Sequence, residues 1–131
     1  MTEDTLKVGA CSMAAIPGNT GENIKKIKEW VKKAAIEGIE LLLFPELCLS
    51  GYWWNNELIY EGQPRDGPAI QELIAFLKSI DTAIIISVGL AEYYGACLYN
   101  TQILLSRDGE LKYYRKTHWP HDEMGTWSCG D

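Results

Sequence analysis

Basic charge is scarce in this chain: twelve Lys and Arg stand against eighteen Asp and Glu, giving a net charge of −6 and a pI near 4.9. Phosphate backbones are bound by clustered Lys and Arg, so nucleic acid is not expected as a partner. The one basic cluster, Lys25, Lys26, Lys28, Lys32 and Lys33, has the spacing of a solvated helix face. Long apolar runs are missing as well. The longest, residues 83–91, falls far short of the ~20 residues that span a bilayer, so no membrane partner is expected. No basic region precedes residues 8–16 and no cleavage pattern follows them, which argues against a signal peptide and leads to the expectation of a cytoplasmic protein. The four cysteines include no C-x-x-C pair, which argues against structural zinc and thioredoxin-type chemistry. Free thiols are expected, with Cys11 and Cys97 as buried, inert members of strand-like stretches. Only two histidines are present, His118 and His121, and the intervening Pro120 argues against a helix presenting both to a metal. No glycine-rich phosphate loop follows the first strand-like run, so a flavodoxin-like binding domain is poorly supported. Neither metal nor cofactor is expected.

What is present fits one domain of 131 residues with ordinary hydrophobic content, 47%. Residues 6–14 read as a first strand, and residues 17–20 break the chain with helix-capping types. From about Gly21, Ile24, Ile27, Val31, Ala34 and Ala35 recur at the period of an amphipathic helix, with Gly38 placed for a left-handed cap. Residues 39–44 are nearly continuous in apolar character, as in a strand covered on both faces. Residues 45–67 read as loop, with one helical turn near residues 56–60. Pro68 opens a second helix whose stripe is Ile70, Leu73, Ile74 and Leu77. A third strand is expected over residues 82–89. Two more, residues 98–106 and 110–115, flank Arg107, Asp108 and Gly109, where Asp-Gly signals a type I′ hairpin turn. The order β-α-β-α-β-β-β begins as an α/β sheet and ends in an antiparallel hairpin.

Two residues stand where strands end. Pro45 cannot donate to a ladder, so Glu46 projects from the carboxyl end of its strand, just before the apolar Leu47, Cys48 and Leu49. Crevices at the carboxyl ends of strands are where open α/β sheets assemble their sites. Glu46 there suits a general base, and equally a salt-bridged structural carboxylate. Lys116 follows the last strand between Tyr113-Tyr114 and Trp119-Pro120. Its cluster with Lys112 and Arg115 fits surface charge. Its aromatic setting fits an ammonium aimed at a developing oxyanion, a contact worth about 2.7–4 kcal/mol in oxyanion holes. Tyr52, Trp53 and Trp54 could wall an apolar pocket or pack as core aromatics.

Pro45-Glu46 followed by Gly51-Tyr52, then Arg115-Lys116-Thr117-His118-Trp119, then Glu123, and a closing Gly130-Asp131, resemble the ordered signature of the nitrilase (carbon–nitrogen hydrolase) superfamily. The resemblance extends from Val8 to Asp131. It implies the N-terminal part of a four-layer αββα sandwich. It further implies hydrolysis of a non-peptide carbon–nitrogen bond, amide or carbamoyl rather than nitrile, by a Glu, a Lys and a Cys. Glu46 would be the base, Lys116 the oxyanion-stabilising group, and Glu123 the carboxylate that positions the lysine. Tyr52 and Trp53 would contact a small-molecule amide or carbamoyl substrate, and a homo-oligomer is expected. The family's nucleophilic Cys follows its Gly-Asp, and neither Cys48 nor Cys129 matches that place. Residues 1–131 are therefore expected to be a domain incomplete at its C-terminus and inactive alone. The alternative is a non-catalytic partner or pseudoenzyme fragment of the same fold.

Overall fold

The computed structural model describes residues 5–52 and 62–130. Its elements are β1 (Val8–Ala10), α1 (Thr20–Ile36), β2 (Leu41–Leu43), α2 (Pro68–Ser79), β3 (Ile85–Tyr94), β4 (Cys97–Leu105) and β5 (Leu111–Arg115). A 3-10 turn at His121–Glu123 follows. The strands form one sheet in the order β1-β2-β3-β4-β5, with the first two pairings parallel and the last two antiparallel. Parallel neighbours need long crossovers, which α1 and α2 supply; the antiparallel pairs close through short turns.

Local signals place the helices. The Asn19 side chain accepts from the Glu22 N–H at 3.1 Å, and Gly38 follows α1 with φ 69. Pro68 opens α2. Ile24, Ile27 and Val31 of α1 pack with Ile70, Leu73 and Leu77 of α2 over Ile86, Val88, Leu90 and Ile103 of the sheet. Each such buried aliphatic side chain contributes roughly 1.5–3 kcal/mol, which fixes both helices to one face. Cross-strand partners share a face, so the opposite face carries Val8, Leu43, Ile85, Leu104 and Tyr114, between 38% and 58% exposed. Leu42 lies under the helices while Leu43 looks out from this open side. Within the described residues β2 is thus covered on one face, where its unbroken apolar character led to an expectation of two.

Tertiary pairing also moves several boundaries. β1 is short because its ladder runs only from Val8↔Leu41 to Ala10↔Leu43. β3 extends past Gly89 to Tyr94 because β4 pairs with it from Ile86↔Leu105 to Tyr94↔Cys97. Gly95, with φ 61, turns that hairpin from the first of its two central positions, where a type II′ turn needs glycine. The β4–β5 hairpin forms at the expected place with a different turn: Gly109 has φ 81, whereas Asp108 is not left-handed. Gly109 N–H donates to the Ser106 carbonyl at 3.1 Å, so one left-handed glycine suffices where type I′ would need two such residues. Cys97 is exposed at its hairpin and Cys11 only half-buried, which corrects the expectation that both are buried thiols. The helical turn expected near residues 56–60 lies outside the described residues.

Candidate active site

The segment after β2 is folded tightly against β3. Phe44 N–H still donates to the Ser87 carbonyl at 2.9 Å, after which Pro45 ends the ladder. The chain then curls, with Gly51 N–H donating to the Leu47 carbonyl at 2.8 Å and Leu49 N–H to the Gly89 carbonyl at 3.1 Å. Leu47, fully buried, is the one non-glycine with positive φ among the described residues, at 52°. A left-handed leucine costs about 1–2 kcal/mol, and it persists because the surroundings over-determine it. Gly89 is what permits the approach: a Cβ there would stand 2.2 Å from the Leu47 nitrogen and 2.8 Å from the Glu46 carbonyl carbon. The buried Cys48 thiol accepts the Gly89 N–H at 3.3 Å, and burial pushes its pKa up to about 12. It is a neutral packing group. Asn23 of α1 completes the anchorage, its side-chain amide donating to the Leu49 carbonyl at 2.9 Å.

The other half of the site is set at the end of β5. Arg115 and Lys116 are consecutive, so they leave the strand towards opposite faces. On the helix side, Arg115 donates to both oxygens of the fully buried Glu92, from Nε at 3.0 Å and Nη2 at 2.9 Å. Arg65 Nε reaches the same carboxylate at 2.8 Å, and Thr101 Oγ1 donates to it at 2.7 Å. This bidentate, buried lock fixes Arg115 on its face and thereby sends Lys116 to the other. Arg115 is no part of a surface charge cluster, although its sequence neighbours suit one. Lys116 N–H extends the ladder by donating to the Asn100 carbonyl at 2.8 Å.

Across the rim, Lys116 Nζ lies 2.7 Å from Glu46 Oε1 and 3.5 Å from Glu123 Oε2. Asn100 Nδ2 donates to the same Glu46 oxygen at 2.5 Å. Glu123 is buried. The Tyr52 hydroxyl donates to its Oε1, and Trp127 Nε1 donates to its Oε2 at 3.2 Å. Burial raises the Glu123 pKa, the nearby Glu46 charge raises it further, and the Trp127 hydrogen bond opposes both. Leu47, Ala91, Leu98 and Trp127, with Tyr52, Tyr93 and Trp119 against them, form a small apolar cluster beside these groups.

Glu46, Lys116 and Glu123 are thus brought together from three separate segments. Tyr52 joins them through Glu123, and Trp53 lies outside the described residues. Among the described residues, no group of three or more His, Cys, Asp or Glu is arranged to hold a metal ion. No helix there is long and apolar enough to cross a membrane. Sequence reasoning did not single out Asn100, Glu92, Gly89 or Trp127. For Glu92 the available signal was a charged residue inside a largely apolar strand, and for Asn100 a polar run, residues 100–102, between apolar strand residues; both imply buried partners.

The result is an α/β sheet with helices on one face and a carboxylate–ammonium–carboxylate cluster at its strand ends. The sequence model described as Carbon-nitrogen hydrolase matches residues 7–131, and the chain belongs to that family. It is 31% identical over 127 residues to an (R)-stereoselective amidase of Pseudomonas sp, covering 96% of this chain and 45% of the relative. It is 26% identical to a nitrilase of Talaromyces marneffei, covering 95% of this chain and 42% of the relative. The amidase from Nesterenkonia sp. superposes with a TM-score of 0.79 at 20% identity, over 96% of this chain and 48% of that one. The chain therefore spans less than half the length of each of these three proteins. A variant of the Nesterenkonia amidase shows covalent addition of the acetamide moiety of fluoroacetamide at its active site cysteine.

Proposed function

We propose that this chain carries the base, the oxyanion-stabilising group and the positioning carboxylate of an amide- or carbamoyl-hydrolysing Glu–Lys–Cys site. The observation that carries the reading is the 2.7 Å contact of Lys116 Nζ with Glu46 Oε1 at the rim of the sheet, with Glu123 behind the lysine at 3.5 Å. Glu46 takes the proton of a cysteine thiol, and the thiolate attacks the carbonyl carbon. Negative charge gathering on the carbonyl oxygen is held by the Lys116 ammonium, which Glu123 keeps aimed. As the carbon–nitrogen bond breaks, Glu46 returns the proton to the leaving nitrogen, and ammonia or an amine departs. Glu46 then deprotonates a water, which releases the acid and regenerates the thiol.

Neither cysteine near the rim is placed to be that thiol, so the nucleophile is assigned to a residue outside 1–131. Cys48 is turned to Gly89 and Cys129 Sγ to the Thr117 carbonyl, 3.8 Å away. A cysteine nucleophile is supported by the adduct in the Nesterenkonia amidase, and amide substrates by the Pseudomonas relative.

The test is ammonia release from small amides. The purified 131-residue chain is expected to be inactive. The uninterrupted reading frame that contains it is expected to turn over, and Glu46→Gln or Lys116→Ala to lower kcat by roughly 10²–10³ with the fold intact. Turnover by the short chain that Cys129→Ala abolishes would show the nucleophile to be Cys129. A longer frame that folds and binds amides without turnover would favour the pseudoenzyme reading.

A further inference from the structure

The two oxygens of Glu46 are not equivalent. Oε1 accepts from Asn100 Nδ2 at 2.5 Å and from Lys116 Nζ at 2.7 Å. Oε2 accepts no hydrogen bond from the described residues, and the Glu46 side chain is 43% exposed. Asn100 is its opposite in freedom. It sits within β4, paired across to Ala91, and is only 4% exposed. Its backbone carbonyl accepts the Lys116 N–H at 2.8 Å, while its side chain holds the Glu46 carboxylate. One residue of the sheet therefore fixes both members of the ion pair.

We propose that Asn100 is a positioning residue that commits Glu46 Oε1 to holding Lys116 and leaves Oε2 as the oxygen that takes the proton. The proposal deepens the hydrolase reading and rests on it. An oxygen already accepting two hydrogen bonds, one from an ammonium, is the weaker proton acceptor of the pair. An untethered carboxylate would turn about its side-chain bonds, so that neither oxygen kept a fixed direction to Lys116. A buried amide of fixed direction holds it in one orientation. Its neutrality matters too, because a second cation here would compete with Lys116 for Glu46, whereas an amide donates without altering the charge balance.

The test uses the isotope-labelled 131-residue chain and needs no turnover. The side-chain amide protons of Asn100 are expected to exchange with water several-fold more slowly than those of exposed Gln71, and to shift in Glu46→Gln. In Asn100→Leu, Lys116 is expected to be acylated several-fold faster relative to exposed Lys25, because its carboxylate partner is no longer held. A purely structural Asn100 would lower Tm and leave that ratio unchanged. Asn100 amide protons exchanging as fast as those of Gln71, or unmoved by Glu46→Gln, overturn the proposal. Should Asn100→Leu fail to fold by circular dichroism, the Glu46→Gln measurement decides alone. If the contact is present but hydrolysis by the longer frame does not depend on Glu46, the catalytic reading fails and the hydrogen bond stands.

Discussion

Gly89 lies beneath Leu47 so closely that an added Cβ would stand 2.2 Å from the Leu47 nitrogen, and the Glu46 carboxylate owes its position to that approach. The neighbours are backbone atoms, which cannot swing away as a flexible side chain can. Gly89→Ala is expected to destabilise the chain by about 1–3 kcal/mol, the usual range for overpacking, and to displace Glu46 from Lys116. Urea unfolding measures the first effect, and the shift of the Lys116 ammonium resonance reports the second. An unchanged unfolding midpoint would falsify the close contact.

The thiols should separate by burial. Cys97 and Cys129 are exposed, Cys11 is half-buried with its pKa raised by burial, and Cys48 is buried with its pKa pushed up to about 12. Only thiolates alkylate readily. Under native conditions iodoacetamide is expected to label Cys97 and Cys129 first and Cys11 slowly, and to spare Cys48 until urea unfolds the chain. Early labelling of Cys48, read by peptide mass spectrometry, would contradict its placement against Gly89.

Glu123 gives a pH dependence of defined sign. Its folded pKa lies above the ordinary value of 4.5, so the folded state binds its proton more tightly than the unfolded state. The stability this contributes is present in full below 4.5 and is lost as pH rises through the raised folded value. Carboxylates in ordinary ion pairs slope the other way, so the informative quantity is the difference between the wild-type chain and Glu123→Gln. That difference is expected to shift against the wild type as pH rises through the window. A flat difference curve would remove the burial argument for Glu123.

The half-exposed side chains of Val8, Leu43, Ile85, Leu104 and Tyr114 lie on one face of the sheet. Exposed apolar side chains gathered on one face favour association unless another layer covers them. The isolated chain is expected to associate with rising concentration in sedimentation velocity, and Ile85→Lys with Leu104→Glu to return it towards monomer. A monodisperse wild-type monomer that unfolds cooperatively would count against an open face needing cover.

Much of this protein was legible in its residues. The helix periods, the caps at Asn19 and Gly38, and the breakers Pro45 and Pro68 act within one or two turns of chain, so β-α-β-α-β-β-β could be read locally. Glu46 and Lys116 were legible for a related reason: each stands one to three residues beyond a strand end, and strand ends are visible in sequence. Other features depended on contacts far along the chain. The length of β3 was decided by β4, not by its own apolar run. The left-handed Leu47 exists because Gly89, 41 residues from the neighbouring Cys48, opens room for the turn. The exposure of Cys97 follows from its place at the tip of a hairpin. Asn100 and Glu92 acquired roles only through register, since in a sheet a slip of one residue would exchange the faces of Arg115 and Lys116. The sequence by itself determined which groups could do chemistry; the 2.7 Å meeting of two of them, 70 residues apart, was decided by the tertiary pairing of β2, β3, β4 and β5.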